Sequence, residues 1–415
     1  MRLHIARNVR AAGFDPEMRC DVADLAAQHP HLADLTLSFP GLLFALASSH
    51  GTAAERNQAI ALVKAGAPLR VISERLGLPY WLRRVPASAF SFHLAKLPTS
   101  PAHSRRLIAV IPQSPANLRN WLWAVHYATS AGNDDFGVWI AEQAAKHPSR
   151  FRGAPGRMAL RHLTAWAWHA DHPDTPGHAL LLRPWSPEMG FRRAMEEMCR
   201  WRARVDLART LTHRSTQNRW IKDGEALGYT FTELVSIQDF ISEAAAMDNC
   251  LDQFSNQLVT RESQIFSISS GDRPLANVEV GRHDGETTMP TILQLRGPRN
   301  RRASGRIWQA TYAWLGSQRL KPRRMTLKRP DPRRAIQSFN QSFWTPYVTE
   351  LRDAGLPLQM WEEVVATFHL DRTLIDAPAS PKKAQKPTGA TRKTKATTPA
   401  KTPSATGRRK AKKRT

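Results

Sequence analysis

The residues best suited to chemistry in this sequence lie between residues 250 and 300. Cys250 offers a thiol nucleophile, Glu279 offers a carboxylate, and His283 is the candidate base for the thiol. A cysteine at a helix start, followed by antiparallel strands with polar groups, is the order found in papain-like and transglutaminase-like hydrolases. This pattern allows a cysteine-dependent hydrolase or transferase. A lone cysteine beside apolar residues is more often an inert core thiol, and we predict that buried, structural role for Cys250.

A second group of suitable residues is basic. The segment 296–300 reads Arg-Gly-Pro-Arg-Asn and is predicted to open a helix. Clustered guanidinium groups suit phosphate because each offers a planar fork of donors, and a helix N-terminus attracts anions. In this interpretation Glu279 and Gln294 hold the turn. The plainer alternative is that Gln294, Gly297 and Asn300 only form a strand-to-helix corner, in which Gly297 supplies a positive φ and Asn300 caps the helix. The two interpretations are compatible, since a helix N-terminus attracts anions in either case. The predicted phosphate-binding residues are Arg83, Arg84, Arg296, Arg299, Arg301, Arg302, Arg323 and Arg324.

Arg83 and Arg84 belong to a pattern typical of a helix-turn-helix near residues 69–85. A helix, a turn at Gly77 and a second basic helix follow one another in this stretch. A plain helical hairpin in an all-helical region explains the same pattern, since Pro86 shortens the second helix. Both interpretations stay open on the sequence.

The charge balance favours a polyanionic partner. The formal net charge is +25, from 60 Lys and Arg against 35 Asp and Glu. Residues 380–415 hold 13 of the basic residues and no acid, and subtracting them leaves +12 on the rest. The tail from about residue 376 is rich in Lys, Ala, Thr and Pro, so we expect it to be disordered and to bind phosphate without reading sequence.

Several protein classes are disfavoured. The three cysteines are far apart in the chain, which argues against a disulfide framework and for a reducing compartment. No cysteine pair has zinc-knuckle spacing, and the His- and Asp-containing stretch 169–178 is better explained as a solvated loop than as a metal site. We therefore predict no metal and no cofactor. No stretch is apolar enough to span a bilayer, so we expect a cytoplasmic protein with no membrane partner.

The elements that must position the candidate residues are three short strands and the helices around them. Residues 264–268, 276–280 and 291–295 are β-rich runs separated by turn-forming residues. Adjacent short strands favour an antiparallel meander, because parallel neighbours need long crossover connections. Residues 229–233 are predicted to begin a helix that delivers residues 248–250 to the edge of this sheet.

The chain before this sheet is predicted to be helical and is dense in tryptophan. Spaced aromatic residues in a basic protein can act as stacking platforms for unpaired bases. Large aromatic residues at helical spacing are more often core, and we favour that interpretation. The tryptophans concerned are Trp121, Trp123, Trp139, Trp166, Trp168, Trp185, Trp201 and Trp220. A later helix, residues 307–315, is predicted to turn its aromatic residues inward.

The middle third of the chain resembles a known family. A helix bearing Cys250, a Val-Glu-Val strand around Glu279 and the sequence Gln-x-Arg-Gly-x-x-Asn from Gln294 to Asn300 look like the PcfJ-like family. Members are carried by conjugative plasmids, integrative elements and phages. The resemblance implies a bacterial mobile-element setting and brings no established chemistry.

These observations predict an α+β protein that is predominantly helical. We expect a helical region over residues 1–225, a PcfJ-like core with a three-stranded antiparallel sheet and flanking helices over 226–375, and a disordered basic tail over 376–415. The expected function is nucleic-acid binding, with DNA the favoured partner, alongside possible protein partners of a conjugation or phage system. The alternatives are the cysteine-dependent enzyme and a protein-interaction scaffold.

Overall fold

Most of the residues that the structure describes are in helices. In a computed structural model these are residues 13–370, except 49, 93, 95, 131–132, 214–219, 256–257, 259–262, 283–288, 319–331 and 357. The predicted basic tail, Arg323, Arg324 and His283 lie outside the described residues. The helices before the sheet are α1 Arg19–Ala26, α2 Pro30–Ser38, α3 Pro40–Ala47, α4 Ala53–Lys64, α5 Leu69–Arg75, α6 Pro101–Ala109, α7 Pro115–Ser130, α8 Asp134–Lys146, α9 Gly153–Ala170 and α10 Phe191–His213.

Local signals set the ends of these helices. Proline occupies the first position of α2, α3, α6 and α7. A residue at that position makes no intrahelical hydrogen bond through its N–H, so the missing N–H of proline costs nothing there. Helix α4 begins with a capping box in which the Thr52 side chain accepts from the Glu55 backbone N–H and Glu55 reaches back to Thr52. Gly66, with φ +74°, follows its end.

The tryptophan-rich region forms a hydrophobic core, as predicted. Trp121, Trp139, Trp166 and Trp201 are each at most 1% exposed. The indole N–H groups find backbone acceptors inside the core: Trp121 donates to Ala141 O and Trp139 to Met189 O, both at 2.9 Å. Buried indoles that keep a hydrogen bond cost little to desolvate, so these rings stabilise the helical packing.

The stretch 69–85 does not form the second helix that a helix-turn-helix requires. After α5 and the turn at Gly77, the chain makes one 3-10 turn, Tyr80–Arg84. Trp81 and Leu82 of that turn are buried in the helical core. Five residues in a 3-10 turn with a buried inner face cannot lie along a major groove, so the helical-hairpin interpretation comes closer.

One antiparallel sheet follows the helical region, and it has five strands rather than the three predicted. They are β1 Gly224–Ala226, β2 Tyr229–Glu233, β3 Gln264–Ser270, β4 Arg273–Arg282 and β5 Pro290–Arg296, hydrogen-bonded in chain order. The three predicted strands are β3, β4 and β5.

Residues 229–233, predicted to start a helix, form strand β2 instead. Phe231 lies opposite Ile268 in β3 and is fully buried. The alternation of apolar and polar residues therefore decides the structure of this segment, because a strand buries Phe231 against the core. The helix begins later, as α11 Ile237–Met247, with a capping box between Ser236 and Asp239. Helix α11 stops before Asp248, so residues 248–250 follow the helix and do not belong to it.

The two faces of the sheet pack against different helices. Helix α12, Gly305–Ser317, covers one face with Trp314, whose ring stacks on Phe231 at 4.4 Å between centroids. Helix α11 covers the other face, where Phe240 and Ile265 belong to a smaller buried cluster.

The last two described helices, α13 Pro332–Asp353 and α14 Leu358–Phe368, return to the N-terminal helices. The Tyr347 hydroxyl hydrogen-bonds the Tyr127 hydroxyl at 3.1 Å, and Trp168 donates to Glu350 at 2.7 Å. Their apolar side chains join the same core as those of α7 to α10. The chain is thus predominantly helical α+β, with the sheet inserted between helices that share one core. None of the described helices is long and apolar enough to cross a membrane.

Candidate nucleic-acid interface

The arginine turn, residues 296–302, reverses the chain after β5. The Gly297 N–H donates to Arg301 O at 2.8 Å, and Arg296 pairs with Arg302 in an isolated antiparallel bridge. Between them lies a 3-10 turn, Pro298–Asn300. Arg299 and Asn300 have φ of 55° and 56°, a left-handed conformation that non-glycine residues seldom adopt.

Two predicted roles in this turn are wrong. Gly297 has φ −85° and ψ −173°, so it is extended and supplies no positive φ. Asn300 does not cap a helix, because α12 begins five residues later with Ser304 as its N-cap. The left-handed residues of this turn are Arg299 and Asn300, which follow Pro298. Because the proline ring fixes the φ of Pro298, the two residues after it must complete the chain reversal.

Five exposed arginines crowd this part of the surface. Four are those predicted from the sequence, and the fifth, Arg306, lies in the first turn of α12. Residues 289–318 contain these five arginines and no Asp or Glu. Arg296 and Arg302 stand directly opposite each other, so their side chains leave the same face, where like charges destabilise a pair. Arg306 adds a positive charge at the positive end of a helix macrodipole, which is also unfavourable. A bound anion would offset both the repulsion between Arg296 and Arg302 and the unfavourable position of Arg306.

Aromatic side chains lie on α12 in the helical turns after Arg306. Tyr312 is 62% exposed, and its ring lies 5.9 Å from that of the half-buried Trp308. The prediction that the aromatic residues of this helix face inward is therefore correct for Trp314, which is 1% exposed, and wrong for Tyr312. Exposed aromatic rings on a basic protein are a feature on which the bases of single-stranded nucleic acid can stack.

The segment after α11 holds the arginine turn. Asp248, itself left-handed with φ 49°, accepts a hydrogen bond from Arg299 Nε at 3.0 Å. The Asn300 side-chain amide lies 3.7 Å from Cys250 Sγ. Residues 248–250 and 296–300, which the sequence singled out separately, are therefore in contact. Three left-handed non-glycine residues meet here, a concentration of backbone strain typical of functional sites.

Cys250 is exposed, contrary to the prediction that it is buried. The reason is the early end of α11 at Met247, which leaves Cys250 in the loop instead of on the apolar face of a helix. Its place after the C-terminal end of α11, and before a 3-10 turn of only three residues, Leu251–Gln253, differs from the helix N-terminus that activates catalytic cysteines. Cys250 thus lies outside the helix start that the hydrolase interpretation expects, and the candidate base of that interpretation, His283, lies outside the described residues.

A buried network, here the Glu243 network, lies behind this segment. Glu243 accepts from Ser267 Oγ at 2.8 Å and from Asn277 Nδ2 at 2.6 Å. Asn277 Oδ1 accepts in turn from Asn249 Nδ2 at 2.9 Å, and Asn249 Oδ1 from the Leu251 N–H at 3.1 Å. Burial raises the pKa of the Glu243 carboxyl. Through Asn249, these hydrogen bonds fix the loop whose Asp248 binds the arginine turn.

Sequence analysis missed this network. Its signal is present in the strands: Ser267 and Asn277 are polar residues at buried positions, 9% and 6% exposed, in otherwise apolar runs. Buried polar side chains need hydrogen-bond partners, so two of them opposite each other in β3 and β4 imply a third polar group from the covering helix. That group is Glu243.

Other predicted residues lie in different surroundings. Glu279 is 3% exposed and accepts from Ser263 Oγ at 2.9 Å, and Gln294 stands opposite it in β5, half-buried. Asp248 and Cys250 contact the arginine turn at Arg299 and Asn300. Arg83 donates to the Tyr80 hydroxyl at 2.8 Å within its own 3-10 turn. Arg84 is exposed in that turn, which packs on the helical core rather than on the sheet.

The histidines of the loop 169–178 hydrogen-bond the protein itself. His172 Nδ1 lies 2.6 Å from Trp168 O, and His178 Nδ1 lies 2.9 Å from His169 O. His169 Nδ1 pairs with Thr175 Oγ1 at 2.8 Å. Within the described part of the chain, no group of three or more His, Cys, Asp and Glu residues is arranged to hold a metal ion.

Comparisons with known proteins return nothing: no protein-family model, no curated protein and no solved structure matches this chain.

Proposed function

We propose that this protein binds nucleic acid, with DNA as the favoured partner, through an arginine surface formed by Arg296, Arg301, Arg302 and Arg306. The observation that carries the proposal is the local excess of positive charge there. Arg296 and Arg302 oppose each other, Arg306 lies at the positive end of α12, and residues 289–318 contain no acid. Phosphate oxygens would neutralise this repulsion and accept bidentate hydrogen bonds from the guanidinium groups.

Arg299 has a different role in this proposal. Its ion pair with Asp248 partly neutralises it and fixes the conformation of the turn. We therefore assign Arg299 to positioning and the other four arginines to phosphate contact. The basic tail would add affinity without specificity.

The resemblance to the PcfJ-like family places this binding in the setting of a plasmid, phage or other mobile element. That setting is part of the proposal and rests on residues 250–300, in particular the sequence from Gln294 to Asn300. The fact that residues 248–250 contact residues 299 and 300 supports it, because the separate segments of the resemblance form one local structure.

Direct binding measurements test the arginine surface. A chain of residues 1–379, which lacks the 13 basic residues of the tail, would be titrated into fluorescently labelled duplex DNA at low salt. We expect R301A/R302A/R306A to bind about tenfold more weakly or worse, because it removes three phosphate contacts. The matched control R75A/R105A/R183A removes three exposed arginines elsewhere and should bind like the unsubstituted chain.

Two outcomes would contradict the proposal. Equal weakening of both triple variants would show that only overall charge matters. No binding at all by residues 1–379 would favour the protein-interaction scaffold.

Single-stranded DNA tests whether the exposed aromatic side chain of α12 also takes part in binding. Y312A should weaken binding of a single strand much more than binding of a duplex, since a stacked base contributes about 1–3 kcal/mol. Y312F keeps the ring and should retain the affinity. If Y312A binds both forms as well as the unsubstituted chain does, Tyr312 lies outside the interface.

A further inference from the structure

A cavity apart from the arginine surface lies where the last two described helices pack on α9 and α10. A cavity of about 140 Å³ opens between α9, α10, α13 and the end of α14. Its polar lining includes His162, Arg202, Arg209 and Asn340, and its apolar lining includes Trp201 and Phe368. A cavity of about 150 Å³ holds a benzene molecule, so this one has room for a group of several heavy atoms.

His162 is the unusual residue of this cavity. It is 6% exposed, and its Nδ1 has no hydrogen-bond partner among the described residues. Its ring packs edge-on against Phe368 at 5.3 Å. Burial, together with the nearby cations Arg202 and Arg161, lowers the pKa of His162 to about 3. The ring is therefore neutral at ordinary pH and keeps one N–H donor.

Cations outnumber carboxylates at this cavity. Arg202 is exposed and forms no ion pair with the described residues. Arg209 pairs with Asp206 at 2.8 Å through one nitrogen, which leaves its other N–H groups available. Asn340 donates to His369 O at 3.4 Å. This hydrogen bond links α13 to the residue that follows α14, at the edge of the cavity. Several donors thus face one small space that contains the single carboxylate of Asp206.

We propose that this cavity binds a phosphate group, either inorganic phosphate or a phosphate monoester. Arg202 and Arg209 supply charge and donors for the phosphoryl oxygens, and His162 supplies a neutral donor from the buried side. The apolar rings of Trp201 and Phe368 limit the size of what enters. A monoester could come from a free small molecule or from the 5′ end of a nucleic acid, and the chemistry recognised is the same.

Histidine ring signals in NMR spectra of the full chain provide the test, with inorganic phosphate as the probe at constant ionic strength. H162Q identifies the His162 signal by its loss. We expect that signal to shift saturably with phosphate, and to lose the saturable shift in R202A/R209A. The control R192A/R200A removes two exposed arginines from the same helix that do not line the cavity, and should behave like the unsubstituted protein.

Further arms separate this site from the arginine surface and distinguish the ligand sources. R301A/R302A/R306A should keep the His162 shift, even if nucleic-acid binding is lost. A 5′-phosphorylated oligonucleotide that shifts the signal at lower concentration than phosphate would identify a nucleic-acid end as the source. A stronger response to phosphate would identify a free ligand. The absence of a saturable shift, an unchanged shift in R202A/R209A, or an equal response to a 5′-hydroxyl oligonucleotide would overturn the proposal.

Discussion

The two faces of the sheet are built on opposite principles. On the α12 side Phe231, Phe266 and Trp314 pack ring against ring, with Phe266 edge-on to Trp314 at 4.7 Å. On the α11 side the sheet presents Ser267 and Asn277 to the buried carboxylate of Glu243. Hydrophobic burial is tolerant of small shifts, whereas hydrogen bonds demand fixed geometry. The comparison indicates that the apolar face stabilises the sheet and the polar face sets the position of the arginine turn.

The largest expected effect comes from breaking the apolar face. Trp314→Ala leaves a cavity between Phe231 and Phe266, and removal of a buried tryptophan costs about 3–5 kcal/mol. Chemical denaturation should show this loss in the free energy of unfolding. The control Tyr312→Ala on the same helix removes an exposed ring and should change stability by no more than about 0.5 kcal/mol. A similar loss in both variants would contradict the division of roles.

Breaking the polar face should cost less stability than Trp314→Ala, because loss of Glu243 also removes the cost of desolvating its buried carboxylate, and it should also affect binding. Glu243→Ala removes the acceptor of Ser267 and Asn277, and each buried donor left unsatisfied costs about 1–3 kcal/mol. Asn277 then anchors Asn249 less firmly, so we expect weaker DNA binding at low salt as well as a lower free energy of unfolding. Glu225→Ala removes an exposed carboxylate near the sheet and serves as the control. Destabilisation by Glu243→Ala without any change in binding would separate the network from the turn.

The titration of Glu243 sharpens the same comparison. Burial raises its pKa above the ordinary value of a glutamate, so the folded protein binds this proton more tightly than the unfolded chain does. This contribution to stability is fully present below about pH 4.5 and is lost as pH rises through the higher pKa of the folded state. Relative to Glu243→Gln, the unsubstituted protein should thus lose stability between pH 4 and pH 7. Denaturation at both pH values measures the difference, and parallel pH profiles would contradict it.

The smallest expected effect belongs to the exposed pair of Arg299 with Asp248, whose side chains are 67% and 75% exposed. Asp248→Asn should change the free energy of unfolding by no more than about 1 kcal/mol, because surface ion pairs contribute little. The introduced amide would keep an Oδ1 acceptor for Arg299, so the turn should keep its conformation. The substitution removes only the negative charge beside the arginine surface, so DNA affinity at low salt should rise slightly. Asp272→Asn, in the turn between β3 and β4, is the control. A fall in affinity specific to Asp248→Asn would show that the pair matters more than its charge.

Local sequence signals predicted much of the fold. They failed where contacts with distant residues determine whether a segment is helix or strand. The strands β3 to β5 alternate clearly, and the buried tryptophans follow helical spacing, so both were predictable. The segment 229–233 carries a helix-start signal as well as an alternating pattern, and its pairing with β3 and the stacking of Phe231 on Trp314, 83 residues later in the chain, make it a strand. The end of α11 at Met247 likewise depends on the left-handed conformation of Asp248. No local sequence signal predicts that conformation.

The candidate site divides in the same way. The four arginines of the turn were recognisable from type and spacing alone, because they cluster within residues 296–302 with no acid among them. Arg306, in α12, was not among the predicted residues. The contact of the turn with residues 248–250 needed the three-dimensional structure, since Cys250 and Asn300 are 50 residues apart in the chain. Glu243 was missed because a carboxylate on an amphipathic helix normally faces solvent, and only the polar positions in β3 and β4 reveal that this one is buried.

The dependence of DNA affinity on salt tests the central claim most directly. For residues 1–379, log K plotted against log salt should fall with a slope of about −0.9 for each phosphate neutralised on duplex DNA. R301A/R302A/R306A should flatten that slope by about two to three, because up to three phosphate contacts are lost, while R75A/R105A/R183A should leave it unchanged. An unaltered slope in R301A/R302A/R306A would show that these arginines do not contact phosphate and would contradict the account.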